Sequence, residues 1–260
     1  MNWISTFLKS SIGKKLLMGL TGLFLCTFLI VHLTGNLQLL KHDGGLAFNT
    51  YAVFMTTNPL IKFVSYGLYA IILFHAFWGL YLVMENKKAR PVQYAAYNGN
   101  ANSNWSSRWM GVLGTIILAF LILHMWNFWA QYKFGTVPYT QYERNLATGE
   151  VTFSPFTGEI AGKMEKFIDN QSGIEVTIVK DLYIVVADGF KAWWLVIIYV
   201  ISMAALSFHL VHGFSSAFQT LGVNHKKYNA LIKNIGVGVF GIIIPILFAI
   251  MPIYFLLLNH

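Results

Sequence analysis

The chain alternates between long stretches without charge and shorter stretches rich in polar residues. No Lys, Arg, Asp or Glu occurs in five windows, which span residues 16–40, 63–84, 109–132, 192–225 and 234–260. The windows hold 25, 22, 24, 34 and 27 residues, whereas an α-helix needs about 20 apolar residues to cross a bilayer. The pattern therefore predicts five transmembrane helices, over approximately 14–40, 62–86, 108–132, 191–219 and 232–258.

The segment between the third and fourth predicted helices, residues 133–190, has a different composition. It contains every acidic residue except Asp43 and Glu85. Gly149 and Gly158 bracket EVTFSPFT, and IEVTIV follows at 174–179; alternating β-branched residues between glycines are typical of short strands. We expect an all-α integral membrane protein, a five-helix bundle forming one domain over 1–260, with a small β-containing insertion on its extracytoplasmic side.

The distribution of charge predicts the orientation of the bundle. Only 11% of the residues are charged, against about 25% in a typical soluble domain. One side of the predicted bundle carries a single acidic residue, Glu85, and ten basic residues: Lys9, Lys14, Lys15, Lys87, Lys88, Arg90, Arg108, Lys226, Lys227 and Lys233. The other side has eight basic and nine acidic residues. The positive-inside rule places the N-terminus in the cytoplasm and the C-terminus outside, and it explains the net charge of +8 without nucleic acid.

Five histidines fall inside the uncharged windows away from their ends, on four of the five predicted helices: His32, His75, His124, His209 and His212. A single buried histidine is usually a hydrogen-bonded structural residue. Four helices that each carry one are a different case, because polar side chains in a bilayer are costly and mark functional sites. Imidazole is a strong neutral ligand for iron, and helix bundles build cofactor sites from facing side chains.

Depth in the membrane sorts these histidines into two levels. His32 lies 17 residues after Lys15, and His124 lies 16 residues after Arg108, on two helices that run outward. His75 lies 12 residues before Lys87, and His212 lies 14 before Lys226, on two helices that run inward. Each level thus receives one histidine from each of two helices, which is the layout of two bis-histidine haems.

The fourth predicted helix offers two histidines, because His209 and His212 are three residues apart and share a face. By depth, His209 fits the outer level almost as well. We prefer His212 because Gly213 follows it, and a glycine beside a ligand lets a flat macrocycle approach the backbone. The alternative is that this glycine only allows close helix packing.

Four motifs resemble one known family. HLTGNLQ at 32–38, LFHAFWGL at 73–80, SRWMGVLGTIILAFLILH at 107–124 and SFHLVHGFSSAFQTLGVNHKKYN at 207–229 resemble the cytochrome b subunit of succinate dehydrogenase and fumarate reductase, complex II. The similar type is the single large membrane subunit of Bacteroidetes-like bacteria, located in the cytoplasmic membrane. The resemblance covers residues 1–132 and 182–258 and leaves the insertion without a counterpart.

The resemblance implies two b haems, with His32 and His124 as axial ligands of the distal haem and His75 and His212 of the proximal haem. It implies that the cytoplasmic face docks an iron–sulfur subunit, which carries a flavoprotein with the dicarboxylate site. Electrons would pass between that subunit and a membrane quinone, menaquinone in similar proteins. A homo-oligomer of the whole complex is compatible with this reading. A glutamate that some relatives use for proton transfer is replaced by Leu210.

Two further sets of residues are weaker candidates. Haem propionates need cations or donors near the bundle ends, for which His209, Lys14, Lys15, Arg108 and Lys191 are available. A quinone needs hydrogen bonds and protons near a haem, and Asn36, Gln38, His42 and Asp43 cluster just after His32.

Other functions share part of this pattern. The chain could be the dihaem cytochrome b subunit of another quinone-linked oxidoreductase, such as a hydrogenase or formate dehydrogenase. A different class is a proton-coupled transporter that uses intramembrane histidines as a relay, although transporters tend to show inverted repeats and none is visible here. A haem-free anchor would leave the four matched histidines unexplained.

Overall fold

The computed structural model describes residues 2–89, 91–92, 101 and 103–258. Arg90, one of the basic residues counted above, and the C-terminal His260 lie outside the described residues. The described chain is mostly helical and contains one small four-stranded sheet. Its longer helices are α1 (Trp3–Lys9), α2 (Ser11–Asn36), α3 (Leu46–Thr57), α4 (Pro59–Lys88), α5 (Met110–Phe134), α6 (Leu182–Gly189), α7 (Trp193–Thr220) and α8 (Lys226–Leu258).

Five of these helices, α2, α4, α5, α7 and α8, are long and apolar enough to cross a membrane. A 3₁₀ turn, Leu37–Leu40, extends α2, and a single helical turn, Trp105–Arg108, precedes α5. Their large apolar side chains stay open to the surroundings, including Phe63, Phe77 and Trp126. In such helices the backbone N–H and C=O groups are hydrogen-bonded within the helix, which is the requirement for a segment in hydrocarbon.

Two of the long helices contain π-helical segments, which the sequence pattern does not reveal. In α5 the segment Met125–Ala130 follows directly after His124. In α8 the segment Ile235–Ile243 carries the buried Gly236 and Gly241. Such bulges inside α-helices are frequently found at functional sites, so the one beside His124 bears on the site below.

The chain divides into two compact units. The first contains Met1–Val31, Tyr66–Leu121 and Ile198–Ile250, and its described residues form helices and short connections without a strand. Within it, α7 and α8 pack closely at Gly241. A Cβ added to this glycine would lie 2.3 Å from Val211 Cγ2. Only glycine allows this approach, and Phe214 and Phe240 stack beside it with ring centroids 4.7 Å apart.

The second unit contains His32–Ser65, Ile122–Ile197 and Met251–His260. It includes the sheet, whose strands are β1 (Tyr139–Asn145), β2 (Val151–Phe156), β3 (Met164–Asp169) and β4 (Ile174–Lys180), in the order β2-β1-β4-β3 and antiparallel throughout. The prediction of a small β-containing insertion between the third and fourth long helices is thereby confirmed. Val53 of α3 packs on Tyr142 and Val179 of the sheet.

A buried polar network fastens the sheet to α3. Asn49, which is fully buried, donates from Nδ2 to Asp181 Oδ1 at 2.8 Å and to the Tyr142 hydroxyl at 3.2 Å. Its Oδ1 accepts from the backbone N–H of Tyr183 at 2.9 Å, and Thr140 donates to Asp181 Oδ2 at 2.5 Å. Because every polar group of the network has a partner, the cost of burying the carboxylate is offset.

Candidate functional site

The first histidine pair lies in the second unit. His32 on α2 and His124 on α5 meet edge to face, with ring centroids 5.8 Å apart and planes at 88°. Both rings are half-buried, and the ring of Phe128 lies 5.6 Å from that of His124. Asn36, one turn after His32, donates from Nδ2 to the His32 carbonyl at 2.8 Å. These are the two histidines that depth and motif paired.

The backbone changes character at this pair. The π-helical segment starts at the residue after His124, and it contains Asn127, whose Nδ2 is buried without a hydrogen-bond partner among the described residues. A buried amide without a partner is costly. It is therefore a group that a ligand placed here could satisfy, and the sequence offered no signal for it.

The second histidine pair lies in the first unit. The ring of His75 on α4 and that of His209 on α7 have centroids 6.3 Å apart, with planes at 68°. Nδ1 of His75 lies 3.0 Å from Thr21 Oγ1, and the Thr21 hydroxyl donates to the Leu17 carbonyl at 2.8 Å. The threonine oxygen is thus placed to accept from Nδ1–H of His75, which leaves Nε2 with its lone pair free for a metal.

The ring contact of His75 and the sequence prediction point to different histidines of α7. The structure brings His209 to His75, whereas His212 lies one turn further along α7 and half-buried. Gly213, on which the preference for His212 depended, faces Met110, whose Cε lies 3.6 Å from the position of an added Cβ. His209 has a buried Nδ1 without a hydrogen-bond partner among the described residues. The assignment of His212 stays a prediction, with His209 as the alternative that the ring contact favours.

Two glycines that the sequence reading overlooked lie beside the second pair. A Cβ on Gly22 would stand 3.5 Å from His75 Cε1, and one on Gly114 would stand 3.8 Å from His209 Cε1. The backbones of α2 and α5 are therefore bare where they face this pair. Gly35 on α2 faces Tyr51 instead, because a Cβ there would lie 2.3 Å from a carbon of that ring.

The donor set can be tested against a haem. An iron held between two imidazole nitrogens at about 2 Å from each places the ring centres roughly 6 Å apart. The two observed separations are 5.8 Å and 6.3 Å. Within the residues that the structure describes, no group of three or more metal-binding side chains occurs. A pair of imidazoles is too few for a bare ion, but it suffices for an iron that brings four macrocycle nitrogens, so these residues fit that group.

The basic side chains predicted to contact haem propionates either have protein partners or are exposed. Lys14 forms an ion pair with Glu85, and Lys191 pairs with Asp188 at 2.6 Å. The Arg108 guanidinium donates to the Ser103 carbonyl. Lys15 is exposed. The structure therefore supplies protein partners for three of these cations.

The four polar residues after His32 that were candidates for a quinone site do not all lie together. Gln38 and Asp43 line one shallow depression of the second unit, together with Leu46, Ala47, Thr50, Tyr51 and Phe54. Asp43 also caps α3, because its carboxylate accepts from the N–H groups of Gly45 and Ala47, each at 3.0 Å. Asn36 is bound to the His32 backbone, and His42 is exposed. Burial raises the pKa of Tyr51, which the sequence reading did not include.

The comparisons with known proteins found nothing similar: no family model, no curated protein and no solved structure matches the chain. The histidine geometry and the sequence motifs are therefore the observations on which a function can be argued.

Proposed function

We propose that the chain is the membrane-anchoring cytochrome b subunit of a succinate dehydrogenase or fumarate reductase, with two haems held by histidine pairs. The observation that carries the proposal is the presence of two separate imidazole pairs, at 5.8 Å and 6.3 Å, on helices long enough to cross a bilayer. The motifs around these histidines support the choice of this family over other membrane cytochromes. The chain would lie in the bacterial cytoplasmic membrane with its N-terminus inside.

The protein's own residues have distinct tasks in this proposal. His32 and His124 would hold one iron, and His75 with an α7 histidine the other. Thr21 orients His75 by accepting its Nδ1–H, and a hydrogen-bonded histidine is a more basic and better-oriented ligand. Haem, when bound, supplies reversible one-electron transfer. The apolar helices exclude water from the ligands, which keeps the imidazoles neutral and able to bind metal.

The quinone reaction would take place in the second unit. A quinone gains or loses protons with its electrons, so its site needs hydrogen-bond donors and acceptors in reach of the first pair. The depression lined by Gln38, Asp43 and Tyr51 offers these groups. The basic residues of the cytoplasmic side would dock the iron–sulfur subunit, which carries the flavoprotein and its dicarboxylate chemistry.

Haem stoichiometry of the purified protein tests the proposal. Two b haems per chain are expected in a pyridine haemochrome assay, and His32→Ala and His75→Ala should each remove a different one. His42→Ala is the matched control, because this exposed histidine belongs to neither pair. A folded chain that was produced with haem available and contains none would overturn the electron-transfer function and favour a proton-coupled transporter.

Copurification separates the remaining alternative. An iron–sulfur subunit and a succinate-oxidising flavoprotein should copurify with the tagged chain. A hydrogenase or formate dehydrogenase partner in their place would keep the two haems and reject the succinate and fumarate assignment.

A further inference from the structure

The ring of Tyr132, at the end of α5, lies among lysines of the second unit. Nζ of Lys163 stands 4.9 Å from the ring centroid, and Nζ of Lys180 stands 5.1 Å from it. Lys163 also donates to Thr56 Oγ1 at 3.0 Å, and Lys180 donates to the Tyr132 carbonyl at 2.8 Å. These hydrogen bonds and cation–π contacts hold both ammonium groups in place.

Lys62 and Lys133 complete the group. We call Lys62, Lys133, Lys163 and Lys180 the lysine cluster. Burial lowers the pKa of Lys163, and the charges of Lys180, Lys62 and Lys133 lower it further. Lys163 and Lys180 lie over the same Tyr132 ring, so their ammonium groups repel each other, and Lys62 and Lys133 add positive charge around Lys163. An anion placed here would relieve this repulsion.

The described part of the chain provides no such anion. Its ion pairs are Lys14–Glu85, Lys166–Glu175 and Lys191–Asp188, none of which includes a member of the cluster. Asp181 follows Lys180 directly, but its carboxylate is buried and accepts from Asn49, Thr140 and the Ile184 N–H. A group from outside the chain is needed to neutralise the lysines.

The position of the cluster indicates where that group comes from. Lys62 lies in the first turn of α4 and Lys133 in the last turn of α5, both helices long enough to span a membrane. Phe63 and Phe134 beside them are 76% and 74% exposed, and the Trp129 ring lies 5.5 Å from Lys133 Nζ. Aromatic and basic side chains at the end of a span are typical of the membrane interface, where lipid headgroups lie.

We propose that the lysine cluster binds the phosphate of an anionic phospholipid. Phosphate oxygens accept charge-assisted hydrogen bonds from ammonium groups, and the exposed aromatic rings would lie against the acyl chains, which free phosphate lacks. The proposal rests on membrane insertion of α4 and α5, and it does not depend on haem binding or electron transfer.

Native mass spectrometry of the full-length chain in detergent tests the site, with phosphatidylglycerol and phosphatidylcholine as probes. We expect phosphatidylglycerol to bind in preference. The Lys163→Gln/Lys180→Gln variant should bind it about 20-fold more weakly, because each lysine near a headgroup contributes roughly fivefold. The control is Lys166→Gln/Arg144→Gln, which removes two positive charges from the same sheet and should change the affinity less than twofold.

A second variant, Lys62→Gln/Lys133→Gln, should also weaken binding and serves if the first does not fold. Equal binding of both lipids, an equal loss in the control, or displacement by inorganic phosphate at similar concentration would overturn the proposal. Haem content is measured on the same samples. Loss of haem with unchanged lipid binding would assign the cluster to haem carboxylates instead, whereas a haem-free chain that still prefers phosphatidylglycerol would reject only the proposed function.

Discussion

Thr21 Oγ1 and His75 Nδ1 lie 3.0 Å apart, and the Thr21 hydroxyl hydrogen is already directed at the Leu17 carbonyl. In this arrangement the threonine oxygen accepts from Nδ1–H of His75, which favours the tautomer with Nε2 open. We expect Thr21→Val, which keeps the shape and removes the acceptor, to weaken binding of one haem by about tenfold. Thr21→Ser keeps the hydroxyl and should retain both haems. Titration of the haem-depleted variants with haem measures the difference, and equal affinities would remove Thr21 from this role.

The two histidines of α7 can be separated by single substitutions. We expect His209→Ala to remove one haem, as the ring contact with His75 implies, and His212→Ala to keep two, whereas the motif resemblance implies the reverse. The buried Nδ1 of His209 has no protein partner in the described chain, so no protein group competes with a bound group for this ring. Reduced-minus-oxidised spectra and haem counts decide this. Loss of a haem only in the His209 variant would establish the pairing seen in the ring contact with His75.

The bare backbone at Gly22 is open to a steric test. A leucine there would place its side chain against His75, since even a Cβ would lie 3.5 Å from His75 Cε1. Gly22→Leu should therefore abolish the haem of the second pair and leave that of His32 and His124. Gly67→Leu on α4 is the matched control, because no atom lies within 4 Å of its added Cβ. Haem counts of one and two per chain are expected, and two haems in both variants would contradict a flat ligand at this position.

The polar network under the sheet predicts a large loss of stability from a small change. Asn49→Leu removes the amide that donates to Asp181 and Tyr142 and leaves buried polar groups without partners. We expect a loss of about 3 kcal/mol, observed as faster limited proteolysis within residues 133–190. Gln171→Ala, at an exposed turn, should cleave at the parent rate. Equal rates for both variants would show that the network does not hold the insertion.

Repulsion within the lysine cluster predicts the effect of salt and pH without lipid. Because burial and neighbouring lysines lower the pKa of Lys163, its charged form is disfavoured in the fold. Lys163→Gln should raise the melting temperature by about 2 °C at low ionic strength, and the gain should shrink in 1 M salt. In the parent chain, Lys163 loses its proton at a lower pH when folded than when unfolded, where its pKa is 10.5. Its contribution to the free energy of unfolding therefore rises as the pH increases from the lowered pKa towards 10.5. A gain that is independent of salt would rule out charge repulsion as its cause.

Periodicity and charge were sufficient to predict the long helices, because a bilayer-length apolar window has few alternatives. They did not predict α3. Its residues 46–57 stand between the turn at Gly44 and Gly45 and the Asn58–Pro59 step, which is the pattern of a connecting segment. Strands β2 and β4 showed an alternating pattern, whereas the mixed polar sequences of β1 and β3 did not. Their pairing depends on partners distant in sequence.

The histidine pair of His32 and His124 could be deduced from depth along two helices. The choice within α7 could not, because residues three apart share a face and one turn of uncertainty exceeds their separation. Gly22, Gly114 and Asn127 were missed for a related reason. Nothing in their own sequence context indicates that they face a histidine or lack a partner, and only packing between helices shows it.

The strand order β2-β1-β4-β3 has a consequence for biogenesis. Strands β1 and β2 are consecutive along the chain, as are β3 and β4, so each hairpin can close within microseconds once both of its strands are free to pair. The turns contain Gly149 and Gly173, both at positive φ, which favours reversal of the chain. Joining the hairpins through β1 and β4 then requires no residue beyond Lys180. The pairing of the four strands is therefore complete without any residue of α7 or α8, so the sheet can form before those helices pack.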